Sequence, residues 1–96
     1  MARHQITCIT KRDHYNPHER ISHIGNQAGN WRLTEGAAIR RIENGVDSFF
    51  TIVNGRETDI IIALHLGRKY LKTSADGYAP NNLLALSDCF GCPVVE

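Results

Sequence analysis

Four of the five histidines fall within the first 23 residues, as His4, His14, His18 and His23, with Arg12, Tyr15 and Arg20 interleaved among them. The run Lys11-Arg12-Asp13-His14-Tyr15-Asn16-Pro17-His18-Glu19-Arg20 therefore brings forked donors, an aromatic face and imidazoles together. Arginine grips phosphate oxygens bidentately, and a tyrosine ring can stack on a base. A polar loop that is merely solvated has the same composition. Arg68, Lys69, Tyr70, Lys72 and Thr73 form a second basic and aromatic group. On a strand, Tyr70 and Lys72 share a face and would set a stacking ring beside an ammonium. The same residues also suit an exposed sheet face, where lysine discourages edge-to-edge pairing. The amides of Asn81 and Asn82 can read a nucleobase edge. Together with Asp76-Gly77 they can equally make a turn, bonding nearby backbone groups.

Metal and covalent chemistry find thinner support. His14 and His18 have a His-x3-His spacing, and Cys89 and Cys92 a Cys-x2-Cys spacing, so the four could ligate zinc. The order is inverted, the pairs lie at opposite ends of the chain, and Pro17 separates the histidines. The alternative is two reduced thiols. Three cysteines, an odd count, argue against a disulfide framework in a reducing compartment. Cys8, in the apolar stretch Ile6–Ile9, reads as a small core residue. No motif orders a nucleophile, base and orienter, and Gly-x-Ser-x-Gly, P-loop and His-Glu-x-x-His patterns are absent. A non-enzymatic role without a cofactor is the expectation.

The elements that must position these side chains are few. A chain of 96 residues, 42% of them apolar, has room for one domain and one core. No apolar run approaches the ~20 residues of a membrane span. The first residues carry no signal-peptide pattern, which makes the cytoplasm the expected location. With 11 Lys+Arg against 10 Asp+Glu, general attraction to nucleic acid is disfavoured. The charge is uneven, though. Residues 1–24 hold four of the basic residues against Asp13 and Glu19 alone, which leaves room for a local anion site.

Gln5–Lys11, rich in β-branched residues, predicts a strand, and Ile21–Ile24 a short second one. Gly25–Asn30 reads as a flexible connection. Thr34 is a good N-cap, Glu35 complements the helix dipole, and Leu33 can staple to Ala38 across the cap. Asn44-Gly45 ends that helix after about ten residues. Ser48–Val53, Glu57–His65 and Lys69–Thr73 then form a meander, with Asn54-Gly55 as a type I′ turn. Pro80–Leu86 is read as an ordered loop or one helical turn. The expected fold class is α+β: a single domain over 1–96, with a mostly antiparallel twisted sheet in the order β-β-α-β-β-β, one packed helix, and a loosely ordered tail over 87–96.

The segment Tyr70-Leu71-Lys72-Thr73-x-Ala75-Asp76-Gly77-x3-Asn81-Asn82-Leu83-Leu84-x-Leu86 resembles the C-terminal signature of a family of small bacterial and phage proteins, the domain of unknown function numbered three-eight-nine-two. The Ile6–Ile9 strand, the Glu19–Gly25 segment and Trp31-x-Leu33-Thr34 are similar to it as well, so the resemblance covers nearly the whole chain. Cys89 and Cys92 lie beyond the signature and gain no support from it. The resemblance sharpens the fold and implies no settled activity.

The functional expectation is a binding module for a small phosphate-bearing ligand, a nucleotide or nucleotide-derived signal, held by Arg12, His14, Tyr15, His18, Arg20, Lys69, Tyr70, Lys72, Asn81 and Asn82. Phage proteins that sequester immune nucleotides offer an analogy. So small a domain has little depth of its own, and pockets of such domains are often completed between protomers, so a homo-oligomer is expected. The alternatives are a nucleic-acid-binding module and a protein-interaction module using the Trp31 region.

Overall fold

The computed structural model describes residues 2–12, 20–76 and 80–95. The expected first strand is two. β1 (Ala2–Gln5) pairs in parallel with β5 (Asp47–Val53), and β2 (Cys8–Lys11) pairs antiparallel with β3 (Ile21–Asn26). Between them the chain changes sheets. The Ile6 N–H donates to Phe50 O at 2.7 Å, and the Thr7 N–H to Gly25 O at 2.9 Å. One four-stranded sheet runs β1-β5-β6-β7, with β6 at Arg56–His65 and β7 at Arg68–Thr73. The other runs β4-β3-β2-β8, with β4 at Trp31–Thr34 and β8 at Ser87–Asp88. The α+β class stands. The one-sheet arrangement is corrected to two mixed sheets, because β1–β5 and β2–β8 are parallel pairs.

Side-chain alternation explains what faces inward. Ile9, Ile24 and Leu33 are cross-strand neighbours, and all are buried in the core. Ile21 joins them although it lies three residues from Ile24. The register slips between Thr10 and Lys11, so β3 carries one extra residue there. A bulge of this kind resets the alternation and returns Ile21 to the core face. Gly25 is strand rather than flexible connection. A Cβ on it would lie 2.4 Å from Trp31 O, so close pairing of β3 with β4 requires glycine.

α1 (Glu35–Glu43) packs against β3, β4, β5 and β7. Its Ala37, Ala38 and Ile39 share the core with Phe49, Ile60 and Leu71. The Thr34 side chain accepts a hydrogen bond from the Ala37 N–H at 3.1 Å, as the sequence predicts. Asn54-Gly55 and Leu66-Gly67 both have paired positive φ values, the signature of the turns that suit twisted hairpins. α2 (Asn81–Leu84) packs on β7 and β2 and contributes Leu83 to the core.

The segment after α2, expected as a loose tail, is bonded along its described length. β8 lies beside β2, and the Cys89 N–H donates to Ile9 O at 3.0 Å. The Gln27 side chain clamps the Phe90 backbone, donating to its O at 2.7 Å and accepting from its N at 2.8 Å. Arg32 then bonds both Pro93 O and the Val95 N–H, at 3.0 and 2.8 Å. The segment thus straps the second sheet from its β2 edge to its β4 edge. Among the described residues, no helix is long and apolar enough to cross a membrane.

α1 has nine residues, too few to hold itself without its cap and its packing. Thr34→Ala should cost about 1 kcal/mol. In a domain of this size that lowers the midpoint of thermal unfolding by about 4–8 °C, as a calorimetric scan would show.

Candidate functional site

Where β1, β4 and β5 diverge, a cavity of about 310 Å³ opens between the two sheets. Its walls are largely rings: Trp31 from β4, Phe49 from β5 and His4 from β1. His4 meets Trp31 edge-on, with centroids 5.8 Å apart, and lies 5.7 Å from Phe49. Leu33 and the strap residue Val95 add apolar surface. At this size the cavity sits at the lower end of small-molecule sites.

The polar wall is a three-residue relay. Asp47 opens β5 and is buried. Its Oδ2 accepts from Arg41 Nη1 at 2.7 Å, and its Oδ1 lies 3.0 Å from His4 Nε2. The hydrogen bond from Arg41, then that from His4, holds the Asp47 carboxyl below its usual range, against the opposing effect of burial. An ionised carboxylate only accepts, so Nε2 of His4 carries the hydrogen. Arg41 also lines a second cavity of about 250 Å³, shared with Ala37, Arg40, Asn44 and Val46. It thus stands between an apolar ring-lined space and a basic one.

A second buried carboxylate lies at the start of α1. Glu35 is 4% exposed, and its Oε1 accepts from Arg68 Nη2 at 3.0 Å. Its Oε2 is buried with no hydrogen-bond partner among the described residues. Burial pushes the Glu35 carboxyl up, with Arg68 and, more weakly, Arg12 pulling the other way.

The residues singled out from the sequence are dispersed. His14, Tyr15 and His18 lie outside the described residues, as does Gly77. Arg12 is exposed, donates from Nη2 to Ile21 O at 3.1 Å, and bonds the Arg20 backbone. Lys69 pairs with Glu43 of α1. Tyr70 is only 3% exposed, so its ring is not an open stacking face, and Lys72 beside it is half-buried. Asn82 donates from Nδ2 to Thr73 Oγ1 at 2.9 Å, and its backbone N–H to Asp76 Oδ1 at 3.1 Å. Asp76 Oδ2 in turn accepts from the Thr73 N–H and hydroxyl. Asp76 and Asn82 therefore tie β7 to α2, and Asn81 is the first residue of that helix.

The zinc reading is corrected. Cys89 is bonded to Cys8 as a disulfide and offers no thiolate. Parallel pairing of β2 with β8 brings the two Cα atoms to 5.0 Å across a sequence separation of 81, within ordinary bridging distance. Cys92 remains a buried free thiol. No group of three or more metal-ligating side chains occurs among the described residues.

Sequence reasoning missed the cavity because its residues come from five separate elements. The usable signals were local: His4 on a strand, a tryptophan just before a helix, and Asp47 opening a strand after a helix ending in arginines.

Fold and site define a small α+β domain with a ring-lined pocket braced by an Arg–Asp–His relay. The chain belongs to a family of proteins of unknown function, DUF3892, whose family model matches residues 5–87. No curated protein and no solved structure matches it. The matched span includes Trp31, Arg41, Asp47 and Phe49, and stops short of His4 and the strap beyond Asp88.

The two carboxylates give opposite pH signatures. Asp47, held below the ordinary aspartate value of 3.8, contributes stability that is present above that value and lost as pH falls through the folded one. Asp47→Asn should cost about 1–3 kcal/mol near neutrality, and that deficit should close in acid below about pH 4. Glu35, raised above 4.5, binds its proton more tightly when folded, so its contribution falls as pH rises from 4.5 through the folded value. Glu35→Gln should therefore gain on the wild type between about pH 4 and pH 7. Denaturant midpoints at the two pH values read both effects.

Proposed function

We propose that the domain is a non-enzymatic binding module for a small phosphate-bearing ligand of the nucleotide class. The observation that carries this reading is the cavity of about 310 Å³ walled by Trp31, Phe49 and His4, with Arg41 at its boundary. A planar base suits the ring-lined side, where offset or edge contacts with aromatic rings are favourable. A phosphate suits the side shared by Arg40 and Arg41, since guanidinium groups fork onto phosphate oxygens. Asp47 spends one Arg41 nitrogen and orients the side chain, which lowers the entropy lost when a ligand is gripped. A homo-oligomer and a cytoplasmic setting belong to the same reading, and sequestration is the role that binding without chemistry would serve.

Trp31 is the chain's one tryptophan, so its fluorescence reports on this cavity directly. Titration with purine and pyrimidine mononucleotides and cyclic nucleotides should give saturable quenching. Arg41→Lys should weaken binding about tenfold, a loss of ~1.4 kcal/mol, and Trp31→Phe should keep it by calorimetry. If none of these nucleotides quenches or stabilises the protein, the reading fails. Binding only to oligonucleotides, with a steep salt dependence, would favour the nucleic-acid alternative. Native mass spectrometry of untreated protein reads protomer number and any carried ligand together.

A further inference from the structure

Cys8, Cys89 and Cys92 form a buried cluster of their own, apart from the main core, at 1%, 8% and 3% exposure. Two of the sulfurs are bonded, and the third is a thiol. Only Phe90 and Gly91 separate Cys89 from Cys92. Gly91 has φ +68°, which lets the chain turn back on itself. The Cys92 Sγ makes its polar contact inside this turn, with Phe90 O at 3.8 Å. Cys89 thus has two candidate partners, one across the sheet and one within its own turn.

We propose that Cys89 is a shared sulfur, passed from Cys8 to Cys92 by internal thiol–disulfide exchange, and that this transfer removes the covalent tie between the strap and β2. The Cys92 thiolate attacks Cys89 Sγ. The Cys89–Cys92 bond forms as the Cys8–Cys89 bond breaks, and the electron pair leaves on Cys8 Sγ. Cys8 takes up a proton in place of the one Cys92 released to solvent. One disulfide and one thiol stand on each side, so neither oxidant nor reductant is consumed. Such exchange proceeds through the thiolate and is faster as pH rises.

The strap also carries Val95 to the pocket wall. With the covalent tie to β2 gone, it is held to the second sheet by the Gln27 clamp, the Arg32 bonds and the short β8 pairing. Exchange therefore loosens one wall of the cavity. The significance of that for ligand rests on the binding reading above, whereas the exchange does not.

The experiment is disulfide mapping of the full oxidised chain. Samples held at several pH values are quenched in acid, unfolded and alkylated, and the labelled cysteines are located by peptide mass. The expected result is loss of label at Cys92 with matching gain at Cys8, faster at higher pH, and none in Cys92→Ser. Cys92 remaining the sole labelled cysteine at every pH and time overturns the proposal. Cys8→Ser, oxidised in air, should bridge Cys89 to Cys92, and two free thiols there count against it. If that variant does not fold, the wild-type map decides. Trp31 emission should shift to the red as exchange proceeds and stay fixed in Cys92→Ser. Mapped exchange with unchanged emission overturns the link to the strap. Mapped exchange in a protein that binds no nucleotide removes the functional reading and leaves this one standing.

Discussion

The change of sheets at Ile6 and Thr7 is the constraint on which the molecule depends. One extended segment supplies a strand to each sheet and so ties the two sheets together. Ile6 is fully buried at the fork, its N–H bonded to Phe50 O and its carbonyl accepting from the Thr51 hydroxyl at 2.9 Å. Apolar side chains from both sheets and from α1 pack together with Ile6. The ring-lined cavity lies beside this fork, since His4 precedes Ile6 on the same segment and pairs with Phe49, the neighbour of Phe50.

Much of the fold was legible because its signals are local. The cap at Thr34, the alternation along Ser48–Val53 and the Asn54-Gly55 turn each act over a few residues, and each appears in the structure. The losses were of another kind. Gln5–Lys11 reads as one strand, since periodicity does not register a change of partner. Ile21 and Ile24 break simple alternation, and only pairing with β2 shows the bulge that reconciles them. The bridge from Cys8 to Cys89 follows from parallel pairing across nearly the whole chain. Cysteine parity pointed away from it, because the odd thiol is Cys92. Clusters along the sequence drew attention to Lys69 and Asn82, whose side chains bond Glu43 of α1 and Thr73 of β7. The cavity assembles His4 and Trp31 with Arg41, Asp47 and Phe49, so only the last three lie near one another in the chain.

The two buried carboxylates show how environment divides identical chemistry. Asp47 is buried but doubly bonded, and the donors outweigh the cost of desolvation. Glu35 has one charged donor and an unsatisfied oxygen, and desolvation prevails. A fixed negative charge beside the cavity keeps Arg41 and His4 oriented. At the head of α1, burial instead pushes the Glu35 carboxyl up while Arg68 pulls it down.

The strap has a consequence for the order in which the fold closes. β8 pairs with β2, and Val94 bridges Arg32 of β4, so the second sheet is finished at both margins by residues that follow all its other strands in the chain. Until they arrive, β2 and β4 each present a row of unpaired backbone groups, the usual template for pairing with a foreign strand. The chain can settle α1 and the β5–β6–β7 meander through short-range contacts, whereas the edges of the second sheet wait for partners far along the chain, as the separation of 81 between Cys8 and Cys89 shows for β2. Local contacts thus order the first sheet's meander and α1, whereas the margins of the second sheet depend on closures across most of the described chain.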